Sequence, residues 1–199
     1  GSRESGPDVQ IAMSHFDRSR QAWSEARFVV QRDASWQRTD YAVRRLGNPV
    51  AWADASGRLH LFVVATGLGG WAASRVVHLR QDRDDAGGRM GGGRFHAQRI
   101  LPLTPLVAFA NTSTLVRALP QVRADGGALL PMYFELGIKY ALAVEVGPHG
   151  ELRGIQRMTR RHDALQPTVV ALSGERALAF MRDSGPQGRV AVIDRGTGI

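Results

Sequence analysis

Short runs of Val, Ile, Leu and Phe, broken by Gly, Asp, Ser and Pro, follow one another along nearly the whole chain. Runs of this length bounded by turn residues predict strands. The strands expected are 9–14, 26–31, 49–53, 58–65, 73–80, 97–101, 113–119, 127–134, 138–146, 151–158, 167–172, 175–182 and 188–194. No long segment repeats at 3.6 residues; 33–46 (DASWQRTDYAVRRL) comes nearest, as a loop or a short helical turn. The polar stretch 82–93 (DRDDAGGRMGGG) predicts a hairpin tip. It lacks the glycine spacing of a phosphate cradle and opens no helix.

Three segments share one cadence of apolar run, Gly turn and apolar run: VAWADASGRLHLFVVA (50–65), VRADGGALLPMYFE (122–135) and VVALSGERALAFMR (169–182). Counting eight residues on from Gly57, Gly127 and Gly174 reaches Ala65, Glu135 and Arg182. One slot of a repeated hairpin then carries a neutral residue, an acid and a base. The strands group into four-stranded units over 49–101 and 113–158, with a further unit starting at 167 and an earlier one entered partway. Such a repeat predicts an all-β fold of the β-propeller type, in which each blade is a four-stranded antiparallel sheet. A β-sandwich is the alternative, but it leaves the recurring Gly-turn hairpin unexplained. About three blades are expected here, as the end of a first blade (1–32), a second (47–101), a third (111–158) and the start of a fourth (165–199).

In an antiparallel hairpin the start of the first strand and the end of the second lie together, away from the turn. Gln166 and Arg182 should therefore share one end of their sheet, as should Asn48 and Ala65, with Glu135 at the same end of its own. Blades circling an axis would bring these groups to the mouth of a central channel. Tyr133, two residues before Glu135, should point to the same side of its strand. His60, His78 and His96 have no metal-ligand spacing and read as strand-surface or loop residues. Asn111-Thr112-Ser113 is a formal glycosylation sequon, discounted here because no secretory context accompanies it.

The chain has 199 residues and a net charge of +8, with Lys139 its one lysine. The arginines are scattered, with no aromatic-interleaved basic stripe and no recognition-helix pattern, so no nucleic-acid partner is expected. A positive surface that attracts an acidic small substrate is the milder reading. No apolar run approaches the roughly 18 residues of a membrane helix, so no membrane span is expected. There is no cysteine, which leaves the compartment undecided.

Several stretches resemble bacterial sialidase-like proteins of the Asp-box (BNR) repeat class. They are RRLGNPVAWADASGRLHLFVVATGLGGWAAS (44–74), NTSTLVRALP (111–120), ALLPMYFE (128–135) and LQPTVVALSGERALAFMR (165–182), with GSRESGPDVQIAMSHFD (1–17) similar to the end of a first blade. The Asp-box itself is degenerate: Ser14 to Asp17 leading to Trp23 keeps part of it, Asp84-Asp85 through Gly87 to Phe95 keeps less, and Asp194 to Thr197 resembles the start of another. The resemblance implies a six-bladed propeller of which these residues form about half, with Gly1-Ser2 native and the other half supplied by the same gene or a partner chain.

The resemblance also implies an enzyme that removes terminal sialic acid or a related acidic sugar, with an acidic glycan as substrate and no cofactor or metal. In that family three arginines hold the substrate carboxylate, and the planar guanidinium fork suits that task better than lysine. Arg182 matches one of the three. Asp8, five residues after Arg3, matches the acid/base aspartate, which would protonate the leaving oxygen and then activate water. Arg3 and Asn48 are expected at the sugar, and Tyr133 and Glu135 match the stretch lining its pocket. The family's nucleophile is a tyrosine, an exception to the two-carboxylate scheme. The glutamate that activates it should fall at Gln166, and an amide cannot accept the proton as a carboxylate does. Either Glu135 takes over that role, or the chain is a non-catalytic carbohydrate-binding propeller, or it acts on another acidic sugar. The fragment alone is expected to be inactive.

Overall fold

The computed structural model describes residues 9–30, 34–39, 42–82, 93–101, 113–160, 162–172, 176–185 and 190–196. These residues form antiparallel sheets, with one 3-10 helix at Ala34–Thr39, inside the segment expected to be loop or helical turn, and no α-helix among them. At the N-terminal end β1 (Ala12–Met13) pairs with β4 (Arg27–Phe28), and β2 (Phe16–Asp17) with β3 (Ala22–Trp23). These two-residue strands are shorter than the expected 9–14 and 26–31.

A four-stranded sheet follows in chain order: β5 (Arg45–Ala53), β6 (Leu59–Gly67), β7 (Gly70–Gln81) and β8 (Phe95–Leu101). The next sheet holds β9 (Thr114–Val116), β10 (Gln121–Val122), β11 (Ala128–Phe134), β12 (Tyr140–Val146) and β13 (Leu152–Arg157). Here the single strand expected at 113–119 is broken. Both β9 and β10 pair with β11, and residues 117–120 between them leave the ladder. Pro120 has no N–H to give a ladder, which suits a break at this point. The last sheet is β14 (Ala164–Ala171), β15 (Arg176–Asp183) and β16 (Val190–Gly196).

The sheets stack face to face. Trp52, Phe62, Val64 and Val76 of the four-stranded sheet pack against Leu130, Met132 and Val144 of the next. The other face of the first sheet, with Leu61, Val63, Val77 and Leu79, closes on Ile11, Val29 and Trp36. Leu129, Ala141 and Ala143 pack against Ala164 and Met181 of the last sheet. A sheet buried on both faces cannot alternate apolar and polar residues. This is why LHLFVVA, ALLPMYF and YALAVEV read as continuous apolar runs. It is also why His60 and His78 are not the surface residues their chemistry predicted: both lie inside, at 0% and 2% exposure. His96 stays partly exposed beside Asp82, at 2.8 Å.

The register corrects the slot counted from glycines. Ala53↔Leu59, Val122↔Ala128 and Ala171↔Ala177 each close a five-residue turn. The same backbone bond spans all three, from Asp54, Arg123 and Leu172 N–H to the carbonyls of Arg58, Gly127 and Arg176. In the first two turns the left-handed residue is Gly57 (φ 76°) and Gly126 (φ 78°), not Gly127. This position favours glycine because a side chain crowds there; Gly174 lies outside the described residues. Counted along the ladder, the residues equivalent to Arg182 are therefore Val64 and Tyr133, which pair with Gly47 and Leu115 as Arg182 pairs with Leu165. Ala65 stands one step further on and Glu135 two.

The β12–β13 turn repeats this form, with Gly150 at φ 84° pressed against the His60 ring. Gly150→Ala would put a methyl into that ring and strain the backbone. Chemical denaturation should find this variant less stable by about 2 kcal/mol.

Candidate functional site

A proline follows a left-handed residue twice, at the same place in two sheets. In β14 the ladder passes from Leu165↔Arg182 to Thr168↔Phe180, so Gln166 and Pro167 together face Met181. In β5 it passes from Gly47↔Val64 to Val50↔Phe62, so Asn48 and Pro49 together face Val63. Gln166 has φ 51° and Asn48 φ 44°. Such bulges re-aim a side chain out of the strand's alternation. Positive φ is uncommon outside glycine, and costs about 1–3 kcal/mol where the surroundings impose it.

The re-aimed Gln166 side chain hydrogen-bonds the phenol of Tyr133 across the gap between β14 and β11. Tyr133 is only 4% exposed. Burial pushes its phenol above its ordinary pKa, and the Glu135 carboxylate pushes the same way. The bond from Gln166 and the charges of Arg117 and Arg182 oppose them without prevailing. Tyr133 therefore keeps its proton at neutral pH and offers a hydrogen bond, not a nucleophilic oxygen.

Glu135 lies just beyond β11, half-buried, its backbone N–H held by the Ser113 carbonyl at 3.1 Å. Arg182 on β15 and Arg117 in the break between β9 and β10 are exposed. Neither guanidinium has a carboxylate partner among the described residues. At the hairpin turns the arginines are instead paired: Arg123 with Glu145 at 3.3 Å, and Arg153 with Glu151 at 2.9 Å and also with Asp125.

Of the residues expected at the site from sequence, Glu135, Gln166 and Arg182 thus all act on the buried phenol of Tyr133. Arg117 joins them and was not foreseen; it lies in a segment read as regular strand, and no local pattern sets it apart from the other arginines. Asn48 does not join them. It lines a separate cavity of about 230 Å³ on the first four-stranded sheet, with Thr66 and Trp71. Arg3 and Asp8 lie outside the described residues.

Of the degenerate Asp-boxes, the first works as a turn. Asp17 accepts bonds from the Ser19 N–H at 2.9 Å, the Ser19 hydroxyl at 2.7 Å and the Arg20 N–H at 3.2 Å. The second lies mostly outside the described residues, as does Thr197 of the third. Among the described residues no cluster of His, Cys, Asp or Glu is arranged to hold a metal ion. No helix among them is long and apolar enough to cross a membrane.

Two guanidiniums without carboxylate partners among the described residues, a protonated phenol, an amide and a carboxylate can together hold an acidic, hydroxyl-bearing ligand. The family model described as "BNR repeat-like domain" matches residues 1–196. Comparison with curated proteins finds no match.

Proposed function

The chain belongs to the BNR repeat-like family, and from that footing we propose that it forms part of a six-bladed sialidase-type propeller that takes a terminal acidic sugar at Tyr133, Gln166 and Arg182. The observation that carries this reading is that Arg182 and Arg117, without carboxylate partners among the described residues, both act electrostatically on the buried phenol of Tyr133. Arg182 clamps the carboxylate, Tyr133 and Glu135 wall the sugar, and Gln166 holds the phenol in place. The blades correspond to residues 1–32, 47–101, 111–158 and 165–199.

The stacking of the sheets supports a longer ring. Thr168, Val170 and Phe180 of the last sheet occupy the register positions of Val50, Trp52 and Phe62 in the first, which are buried against the sheet that follows. Val170 and Phe180 are exposed at 47% and 37%. A further blade packed there, from the same gene or a partner chain, would cover them.

Asp8 is the acid/base in this reading, and Arg3 binds the sugar. In the protein carrying the complete ring, Asp8→Ala should leave acidic-sugar affinity within about twofold and lower turnover by about 100-fold or more. Undiminished turnover would remove Asp8 from the mechanism. Gln166 favours a second reading, a carbohydrate-binding propeller without catalysis, because its amide donates to Tyr133 where a proton acceptor was expected. A fluorogenic sialoside separates the two: release of the fluorophore supports hydrolysis, and binding without release supports the second reading.

A further inference from the structure

We propose that the end of the sheets carrying the β6–β7 and β11–β12 turns is a docking surface for an anionic lipid bilayer. The proposal goes beyond the acidic-sugar reading and does not depend on it.

The two turns leave the stacked sheets at the same end. The Ser74 hydroxyl of β7 donates to the Thr114 carbonyl of β9 at 3.3 Å, and Thr114 pairs with Phe134 of β11. Ser74 stands four residues after Gly70, and Phe134 four before Ile138. The Lys139 ammonium, just past the second turn, donates to the Ser184 hydroxyl at 3.1 Å. The end of β15 therefore lies at this end too.

Each turn lifts two large apolar side chains into solvent. Leu68 is 78% exposed and Trp71 56% on the first, Leu136 48% and Ile138 59% on the second. Turns at the opposite end of these sheets carry Asp54, Ser56 and Arg58, and Arg123 and Asp125, as solvent-facing turns ordinarily do. Apolar residues gathered at one exposed end mark a surface that is covered in use. Glycine keeps both tips narrow. Gly70 (φ 60°) and Gly137 (φ 70°) hold left-handed backbone, and Gly67↔Gly70 closes the first turn on two residues.

Charge selects the occupant. Arg44 and Arg45 are exposed beside the first turn, where both meet Thr66 of β6. Arg182 is exposed at the end of β15. The acids described at this end, Glu135, Asp163 and Asp183, are half-buried. Its exposed charge among the described residues is thus positive, on a chain of net charge +8. A bilayer accepts separate projections, whereas a folded partner needs a continuous matching surface. An indole at headgroup depth, aliphatic tips beside it and flanking cations form an interfacial anchor.

The test is flotation of the 199-residue chain with mixed phosphatidylglycerol–phosphatidylcholine vesicles. Half should be bound at roughly 0.1–1 mM lipid, near the strength of a single myristoyl chain, and less as salt rises. Leu68→Ser combined with Ile138→Ser should weaken binding by about 30-fold. Arg44→Gln should weaken it by about fivefold, the effect of one surface charge. Val122→Ser, at an exposed apolar position toward the opposite end of its sheet, should leave it unchanged. All these positions are exposed, so denaturation midpoints should match wild type. Brominated lipid should quench the tryptophan emission of wild type. In Trp71→Leu that quenching should vanish while binding stays within about threefold.

No binding up to about 5 mM lipid, well below the strength of one acyl anchor, would overturn the proposal. So would equal binding by wild type and the Leu68→Ser, Ile138→Ser chain, which would leave adsorption to charge alone. Quenching that persists in Trp71→Leu would place another face on the lipid and overturn it as well. A dimer that the same two serine substitutions dissolve, without vesicle binding, would give the surface to a second copy instead.

Discussion

Arg182→Ala is expected to reduce affinity for a free acidic sugar such as sialic acid by about 100-fold, or roughly 2.7 kcal/mol. The size follows from the chemistry of the clamp. A guanidinium meets a carboxylate with two parallel charge-assisted bonds, each worth about 1.5–3 kcal/mol beside buried groups. Arg182 has no carboxylate of its own to give up among the described residues, whereas Arg123 and Arg153 are tied to Glu145, Glu151 and Asp125. Arg182→Lys should recover only part of the loss, because an ammonium cannot make the paired geometry. Arg117→Ala should cost about tenfold, a single screened charge near the same phenol. Isothermal titration on each variant reads these values. Arg182 is exposed, so its denaturation midpoint should match wild type, and a drop in affinity then reports the site and not the fold. Unchanged affinity in Arg182→Ala would remove the clamp from the reading.

The sheets were legible in the sequence because their two signals are local: continuous apolar runs and left-handed glycines at five-residue turns. Family resemblance and hairpin geometry together singled out Glu135, Gln166 and Arg182, three of the groups that act on the buried Tyr133 phenol. The slot that first linked them was miscounted, since a Gly-Gly pair hides which glycine takes positive φ. Gly126 takes it, and Gly174 stands third in its five-residue turn where Gly57 and Gly126 stand fourth; the two steps together make Tyr133, not Glu135, the equivalent of Arg182 in the repeat. The bulges had a readable signal, a polar residue before proline at the start of two strands, Asn48-Pro49 and Gln166-Pro167. The break in the third unit had a weaker one in Pro120. Arg117 had none, because its place depends on that break and on the sheet beside it. His60 was misread because a histidine inside an apolar run was weighed by its own polarity. The run around it is buried on both faces, and a position in such a run is interior whatever residue fills it.

That interior position leads to the second large expected effect, a steep loss of stability in acid. His60 Nε2 lies 3.2 Å from Asp54 Oδ2, and His60 Nδ1 lies 2.9 Å from His78 Nε2. The Asp54 carboxylate is held ionised: bonds from Ser56, His60 and Arg58 lower its pKa against the opposing effect of burial, the largest single influence. Only one neutral arrangement satisfies the chain. His60 donates from Nε2 to Asp54, and His78 donates from Nε2 to the bare Nδ1 of His60. A proton added at His60 Nδ1 would set two N–H groups against each other.

Burial is the main reason both imidazoles are held below their ordinary pKa, His78 far below it. Asp54 pulls His60 the other way, while Arg58 and Arg80 act with burial on His60, and the His60, Arg80 and Arg99 charges do so on His78. The β12–β13 turn adds His149 and Glu151 on either side of Gly150, which itself touches His60. The sign follows directly. Both folded-state values are depressed, so the unfolded chain binds protons first as pH falls through about 6.5. Stability is full above that pH and declines below it, toward each folded-state value.

Two such groups give a slope approaching ~2.7 kcal/mol per pH unit. Urea midpoints measured from pH 8 to pH 5 should be level above pH 7 and fall steeply below 6.5. His78→Gln keeps a donor for His60 and removes one titrating group, so its slope should be about half that of wild type. A wild-type midpoint that stays level to pH 5, or equal slopes in wild type and His78→Gln, would mean that the buried pair does not set the acid limit of the fold.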